Sequence, residues 1–334
     1  MYRLRPFLNS DPPHLAAIWR SQPPQRGLLQ PVTPPLLEYA VFSKAHFDRN
    51  GLIVATKDGK PVGFAHAGFG PNEDGSAIDC SLGTTYMLMV DPAEGGGLAD
   101  ELLHASEAYL RSRGATVLYA GGIRPLNSFY LGLYGGSEIP GVLQSNETLH
   151  GACQRSGYDE SARVCILQCD LARFKAPVSR GARLLKRSTN VVEKLDPPAG
   201  NWWEACVWGG LQQDRFEMVQ RRTGEPVANA GLWDVQPLSS SWGICTAGLH
   251  EIEVRPEFRR QGYGSYLLSE AFKALRRRGV ITVEAQTMST NEAAQAFYKR
   301  LGFTEVDHGL VYRKRALAEL ETGSHDGIAA VADA

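Results

Sequence analysis

The chain has 334 residues, and at roughly 100–200 residues per domain this length predicts two domains, each able to bury its own core. Lys and Arg number 35 and Asp and Glu number 36, so the net charge of −1 gives no general attraction to nucleic acid or to an anionic membrane. No apolar run approaches the ~20 residues of a membrane span, and the first residues show no apolar signal region.

The six cysteines lie scattered through the chain, at Cys80, Cys153, Cys165, Cys169, Cys206 and Cys245. Cys165 and Cys169 are too isolated for a zinc site, and no Cys-x-x-Cys pair occurs. We therefore expect reduced thiols, no metal and a cytoplasmic protein, with neither nucleic acid nor a membrane as its partner.

The first half of the chain begins with two helical segments, DPPHLAAIWR and PPLLEYAVFSKAHF. The pattern that follows predicts, in order, a hairpin of LIVATKDG and PVGFAHAGF, the strand TTYMLMVDP, the loop EGGGLAD, the helix ELLHASEAYLRSRG, the strand TVLYAGG, the segment TLHGACQRSGY and the strand RVCILQCDL. This order alternates strands and helices and is typical of an α/β unit.

The second half repeats the order after a shorter lead-in around NWWEACVW. It predicts the strands RFEMVQRR, PVANAGLWDV and LHEIEV, a Gly loop, the helix YLLSEAFKALRRRG, the strand VITVEAQT, a helix EAAQAFYKRL opened by the capping box Ser289-x-x-Glu292, and the strand LVYRKR. We therefore predict two copies of one unit, residues 1–171 and 184–318, with a basic linker at 172–183 and a disordered tail at 319–334.

The Gly loop of the second half, RPEFRRQGYGS, joins a strand that ends near Val254 to a helix that begins near Ser265. A helix N-terminus offers unpaired backbone N–H groups and partial positive charge, which together bind phosphate oxygens. Glycine lets the backbone approach a ligand closely, and Arg259 and Arg260 add cations. The loop therefore predicts a site for a phosphorylated cofactor.

Two common nucleotide motifs fit this loop poorly. A P-loop requires Gly-Lys-Ser/Thr, which does not occur here. A dinucleotide fingerprint requires a third glycine, but position 267 is leucine, and the loop follows a hairpin instead of opening the domain. A Rossmann-type protein, which would bind NAD and not CoA, remains a weaker alternative.

At these residues the sequence resembles the GNAT superfamily of N-acetyltransferases. The family loop Arg/Gln-x-x-Gly-x-Gly/Ala is matched by Arg259-Arg260-Gln261-Gly262-Tyr263-Gly264. A helix ending in Tyr-x-x-x-Gly-Phe is matched by the run from Tyr298 to Phe303, with Asn291 at the start of that helix. The resemblance covers residues 184–316 well and residues 1–170 more loosely, and both motifs occur at the family's spacing.

The resemblance implies an α/β (α+β) fold of two tandem GNAT-like domains, each a mixed, mostly antiparallel sheet flanked by helices. It also implies acetyl-CoA, or another acyl-CoA, as co-substrate. The residues that would contact it are Ile252, Val254, Arg259, Arg260, Gln261, Gly262, Tyr263, Gly264, Ser265, Asn291 and Tyr298. Taken singly, each arginine is better explained as ordinary solvated surface charge.

Two residues of the second half are candidates for catalysis. In the family, a tyrosine at the position of Tyr298 protonates the leaving thiolate, although the apolar neighbours of Tyr298 also fit a core residue. His250 lies on the strand LHEIEV, where relatives place the residue that removes a proton from the amine. Simple alternation puts His250 with Ile252 and Val254 on one face and Glu251 and Glu253 on the other, and a structural histidine is equally compatible with this pattern.

The first copy departs from the family pattern. Glu94 stands where the loop needs Arg or Gln, and Cys153 stands where the second copy has Tyr298. We therefore expect a degenerate first domain and catalysis in the second, a layout similar to that of mycothiol synthase, in which the C-terminal half is active. Tyr130 and Tyr134, in an insertion of the first copy, either line a pocket or simply pack.

The predicted activity is transfer of an acetyl group from acetyl-CoA to a primary amine by direct attack in a ternary complex. A small-molecule amine is favoured over a protein acceptor, and the chain is expected to be a monomer or a homodimer. The alternative is a non-catalytic acyl-CoA-binding or sensor protein. It would bind acetyl-CoA without releasing CoA to any amine.

Overall fold

The structure is a computed structural model that describes residues 1–126, 128–176 and 180–314. The elements of the N-terminal half are β1 (Arg3–Pro6), α1 (Pro12–Arg20), α2 (Pro34–Leu37) with a π-helical turn at Glu38–Phe42, β2 (Leu52–Lys57), β3 (Lys60–Pro71), β4 (Ile78–Val90), α3 (Gly97–Ser112), β5 (Val117–Ala120), β6 (Val142–Leu143), α4 (Glu147–Arg155) and β7 (Asp159–Asp170).

The elements of the C-terminal half are α5 (Arg180–Ser188), β8 (Thr189–Leu195), α6 (Trp202–Trp208), β9 (Gln213–Gln220), β10 (Pro226–Asp234), α7 (Leu238–Trp242), β11 (Thr246–Val254), a 3₁₀ turn at Pro256–Phe258, α8 (Tyr263–Arg277), β12 (Thr282–Met288), α9 (Glu292–Arg300) and β13 (Thr304–Lys314). The predicted repeat of elements is therefore present in both halves. The sequence interpretation did not anticipate β1, β6, α5, β8 or α7.

The 13 strands of the described residues join in one mixed sheet, in the order β1-β2-β3-β4-β5-β13-β7-β12-β11-β10-β9-β8, with β6 beside β13. Only β4–β5 and β11–β12 are parallel pairs, and the other strand pairs of the described chain are antiparallel. This confirms the predicted mixed, mostly antiparallel architecture.

The two halves exchange their last strands. β7 ends the N-terminal half but pairs with β12, while β13 ends the C-terminal half but pairs with β5. β7 and β13 also pair with each other along most of their length. Each half therefore needs a strand from the other to satisfy the backbone groups of its parallel pair, and the halves form one continuous body.

Two cores cover opposite faces of the C-terminal half. On the first face, which we call the α8 face, Leu267 and Phe272 of α8 pack with Tyr298 of α9. On the second face, the α6 face, Trp203 and Trp208 of α6 pack in one cluster with residues of the N-terminal half. The tryptophans therefore serve mainly as core residues that fuse the two halves.

The predicted domain bounds, 1–171 and 184–318, remain a prediction. Part of the predicted linker, 172–183, is helical, because α5 begins at Arg180. The predicted tail at 319–334, the last four residues of the second domain and residues 177–179 lie outside the described residues. Within the described part of the chain, no helix combines the length and the apolar character that a membrane span requires.

Candidate active site

The loop after β11 turns sharply into α8. Gly262 is the N-cap of α8 and has φ +87°, in the left-handed region that glycine adopts without strain. The first intrahelical bond at this end runs from Tyr266 N–H to Gly262 O, at 3.0 Å. The amide groups that precede Tyr266 have no acceptor within the helix, so they are available to an anion at the positive end of α8.

Polar side chains brace this loop. Arg259 Nε donates to Val254 O at 2.8 Å, and Gln261 Nε2 donates to Glu257 O at 2.8 Å. Arg259 and Arg260 are exposed, so their guanidinium groups are accessible to a negatively charged ligand. Beside the loop lies a cleft of about 700 Å³ that includes Gln261, Gly262, Ser265, Lys273, Arg183 and Lys186 in its lining. The surroundings of the loop are therefore basic.

The sheet opens next to the Gly262 loop. β11 and β12 pair only as far as Leu249 opposite Ala285, yet β11 continues to Val254 and β12 continues to Met288. Beyond Leu249 the two strands make no pair with each other, so a gap, the strand cleft, separates them. Backbone groups that face the strand cleft are free to bond an extended ligand that enters between the strands.

A β-bulge marks the start of the strand cleft. Gly231 of β10 pairs with Glu251 and Leu232 pairs with Leu249, so His250 is the extra residue of β11. The predicted alternation is therefore wrong at this point. Ile252 packs on the α8 face, whereas the His250 ring lies on the α6 face, 4.4 Å from the ring of Trp208.

The bulge also changes the position of two carboxylates. Glu251 lies on the same face as His250, where its Oε2 is 3.2 Å from Arg215 Nη2. Glu253 accepts a hydrogen bond of 3.2 Å from Asn229 on that face too. The prediction that these glutamates face away from His250 is wrong, because the inserted residue shifts the side-chain alternation by one position.

His250 is held as a neutral imidazole. Burial lowers the pKa of His250 to about 3, and the positive charges of Arg124 and Arg215 contribute to the shift. Arg124, from the N-terminal half, also donates from Nη1 to His250 O at 3.0 Å. A ring with so low a pKa is a weak acceptor of protons at neutral pH.

Tyr298 lies on α9 with 6% of its surface exposed, 5.1 Å from the ring of Phe303. Burial raises its pKa above the ordinary value, and the charge of Glu138 adds to the shift. Tyr298 is therefore a neutral phenol with a proton to donate. Its position is consistent with both sequence interpretations, a general acid and a core residue.

The other predicted contact residues include two on β11 and one at the start of α9. Ile252 and Val254 pack their side chains against the core of the α8 face, which leaves their backbone groups for a ligand. Asn291 is the N-cap of α9, and its Oδ1 accepts a 3.0 Å bond from Ala294 N–H. The predicted capping box at Ser289 is therefore wrong, because Asn291 is the capping residue.

The N-terminal half carries the same bulge with different chemistry. Tyr86 is the unpaired residue of β4, and its hydroxyl donates to Phe69 O at 2.6 Å. In the loop, Glu94 binds Lys57 at 2.9 Å and also accepts a hydrogen bond from Tyr2. At the place that corresponds to the Gly262 loop, the carboxylate of Glu94 is thus paired with Lys57. A phosphate would meet negative charge.

The sequence interpretation missed how closely the N-terminal half packs against the C-terminal strands. The insertion around Tyr130 and Tyr134 was the available signal. Both tyrosines are 3% exposed, and Tyr130 bonds His66 Nδ1 through its hydroxyl at 2.9 Å, so they pack instead of lining a pocket. The same insertion carries Glu138, whose backbone oxygen accepts a 2.8 Å hydrogen bond from Gln286 Nε2 of β12.

The family model for the acetyltransferase (GNAT) family matches the chain twice, over residues 15–134 and 186–303. Together the two matches cover more than half of the chain, and the chain therefore belongs to the GNAT family. The duplicated match agrees with the two copies of the fold, and it places both Gly loops inside the matched regions.

Solved structures with the same fold include a tandem GNAT protein from the clavulanic acid biosynthesis pathway, with a TM-score of 0.63 and 16% identity over 95% of this chain and 99% of that one. A fungal glucosamine N-acetyltransferase region of a multi-domain β-N-acetylglucosaminidase has a TM-score of 0.70 and 18% identity, covering 94% of this chain and 38% of that one. At these identities the likeness concerns the fold.

Among curated proteins, a relative is the ribosomal protein bS18-alanine N-acetyltransferase of Salmonella typhimurium, 42% identical over 103 residues. The match covers 31% of this chain and 65% of the relative. The similarity thus extends over a part of each protein and supports the family assignment more than a shared acceptor.

Proposed function

We propose that the protein transfers an acetyl group from acetyl-CoA to a primary amine, and that the active site lies in the C-terminal half. The observation that carries this proposal is the combination of the strand cleft with three features of the C-terminal half. They are the Gly262 helix N-terminus, the bulge at His250 and the buried phenol of Tyr298. In the N-terminal half, Glu94 stands in the corresponding loop, and Cys153 stands at the position that corresponds to Tyr298.

The amides of the Gly262 loop would bind the pyrophosphate of acetyl-CoA, with Arg259 and Arg260 near the phosphates. The backbone N–H near Val254 would polarise the thioester carbonyl. It would stabilise most strongly the negative charge that develops on the carbonyl oxygen during the attack. The acceptor nitrogen forms its bond to the carbonyl carbon as the bond from carbon to sulfur breaks. Tyr298 then donates its proton to the departing thiolate.

A base must remove a proton from the acceptor amine. His250 is the candidate from the sequence, but its pKa of about 3 makes it weak at neutral pH. Glu251 lies on the same face and is a second candidate, although Arg215 neutralises part of its charge. The pH profile of kcat/KM separates the two. His250→Gln should abolish the acidic limb if His250 is the base, and Glu251→Gln should abolish it if Glu251 is.

The acceptor class is open to direct screening. The names of the relatives point to a peptide beginning with alanine and to glucosamine as first probes. Release of CoA from acetyl-CoA in the presence of either amine, measured with a thiol reagent, would support acetyl transfer. Binding of acetyl-CoA without CoA release to any amine of a wider panel would favour the sensor alternative.

A further inference from the structure

The connection between the two halves contains a basic helix that the proposed function does not use. The sequence predicts a basic linker at 172–183, and α5 (Arg180–Ser188) begins within that segment. α5 packs against β8 and against α8, the helix that starts at the Gly262 loop. The positive charge of the linker therefore lies beside the loop to which we assign the pyrophosphate of acetyl-CoA.

Contacts on both sides of α5 fix its position. Before the helix, the ring of Phe174 lies 5.0 Å from the ring of Phe272 on α8. Within it, Leu185 is buried, with 6% of its surface exposed. After it, Arg221 Nε donates to Thr189 O at 3.0 Å. α5 is therefore a wall of the C-terminal half and not a loose tether.

α5 and α8 both line the cleft of about 700 Å³ beside the Gly262 loop. α5 contributes Arg183 and Lys186, α8 contributes Ser265 and Lys273, and the loop contributes Gly262. The cleft therefore leads directly from the amides at the N-terminus of α8 to the basic residues of α5.

The lining of this cleft is strongly positive. Of the described residues that line it, four carry a positive charge and one a negative charge, namely Arg183, Lys186, Lys273 and Arg300 against Glu270. The carboxylate of Glu270 is paired with Lys273, at 2.6 Å. Arg183 and Lys186 are exposed and lie one helical turn apart, and neither forms an ion pair with another residue that the structure describes. Their charge is available to an anion.

The chemistry of CoA supplies an anion at this place. CoA carries a pyrophosphate on the 5′ oxygen of its ribose and a phosphate monoester on the 3′ oxygen of the same ribose, so only the sugar separates the two groups. A phosphate monoester has a charge of about −1.5 to −2 at pH 7 and three acceptor oxygens. An arginine fork and a lysine ammonium complement such a group.

We infer that Arg183 and Lys186 of α5 bind the 3′-phosphate of the acyl-CoA, so that the protein selects CoA over its 3′-dephospho form. This inference rests on the proposed function, in which the Gly262 loop binds acetyl-CoA, and it names the residues that recognise the other phosphate of the co-substrate. The linker then has two roles: it joins the halves, and it contributes to cofactor specificity.

The test compares the binding of CoA and of 3′-dephospho-CoA to the full chain by calorimetry. We expect the wild type to bind CoA about 10- to 100-fold more tightly, because 3′-dephospho-CoA lacks only the group that would form charged hydrogen bonds with α5. The double variant Arg183→Gln/Lys186→Gln should lose this preference through a higher Kd for CoA. Its Kd for 3′-dephospho-CoA should stay unchanged, which also shows that the variant is folded.

Arg180→Gln/Arg187→Gln is the matched control. It removes the same charge from the same helix, at two exposed residues outside the described lining of the cleft. This control should keep the wild-type preference for CoA. If it loses the preference as far as Arg183→Gln/Lys186→Gln does, or if the latter keeps it, the inference is overturned.

The outcomes separate this inference from the proposed function. Equal affinity of the wild type for CoA and 3′-dephospho-CoA would overturn the inference and leave the acetyltransferase proposal intact. If the wild type prefers CoA through Arg183 and Lys186 but acetyl-CoA releases no CoA with any amine, the inference stands and acetyl transfer is rejected. Failure of the wild type to bind either compound would reject both.

Discussion

Gly231 leaves the space that the ring of His250 fills: a Cβ at position 231 would lie 2.6 Å from His250 Nε2. The ring is thereby held against Trp208, at a ring separation of 4.4 Å. Gly231 on β10 therefore makes room for the ring of His250, the bulged residue of β11. Together the two residues set where the strand cleft begins.

Gly231→Ala should displace the His250 ring and disturb the bulge. We expect a loss of about 1–3 kcal/mol in the free energy of unfolding, as for other overpacked sites, together with a fall in kcat/KM. Denaturant unfolding and initial rates measure the two effects. Gly95→Ala is the control, since a Cβ at Gly95 meets open space. Equal stability of the two variants would contradict the packing argument.

Tyr298→Phe removes the hydroxyl and keeps the ring. If Tyr298 is the general acid, kcat should fall by about 10²- to 10⁴-fold while acetyl-CoA binding is almost unchanged. Single-turnover rates and calorimetry separate these quantities. Tyr158→Phe makes the same change in the N-terminal half and should leave kcat unaltered. A kcat for Tyr298→Phe equal to that of the wild type would leave Tyr298 with a packing role only.

Gly262→Asp should abolish acetyl-CoA binding. The side chain would strain a residue at φ +87° and place a negative charge where the pyrophosphate is expected. The matched control is Gly97→Asp at the first turn of α3, which should preserve binding. Calorimetry should therefore give one site in the wild type and in the control. Two sites in the wild type would show that the N-terminal half also binds the co-substrate.

Buried histidines should make the fold sensitive to acid. Burial lowers the pKa of His66, which is 1% exposed, from 6.5 to about 3. The unfolded state therefore binds more protons between these two values, and stability falls as the pH drops through this window. At pH 5 the loss from this residue alone is about 2 kcal/mol relative to pH above 7.

Thermal unfolding at pH 7 and pH 5 tests this sensitivity. His66→Phe should narrow the difference in unfolding free energy between the two pH values, even if its stability at pH 7 is lower through loss of the bond to Tyr130. His14→Gln changes an exposed histidine and should retain the wild-type difference. The same pH difference in His66→Phe and wild type would mean that His66 does not carry the effect.

The features on which the predicted C-terminal site rests were visible in the sequence because their signals are local. Gly262 at a strand-to-helix turn and Tyr298 before Gly302 and Phe303 lie within short motifs, and their spacing identifies the loop and the last helix. The replacements Glu94 and Cys153 were equally visible, and the prediction that the first copy is degenerate rests on them. Hydrophobic periodicity in each half was enough to reveal the duplicated order of elements.

Features that depend on contacts between residues distant in the chain could be established only from the tertiary structure. The bulge at His250 arises from its register with β10, which no local pattern encodes, and it reversed the predicted faces of Glu251 and Glu253. The exchange of β7 and β13 and the approach of Glu138 to Gln286 join residues more than a hundred positions apart. The sequence by itself determined the two units and the loop. The pairing between them determined the walls of the site, because hydrogen bonds between strands are set by the whole sheet and not by neighbours along the chain.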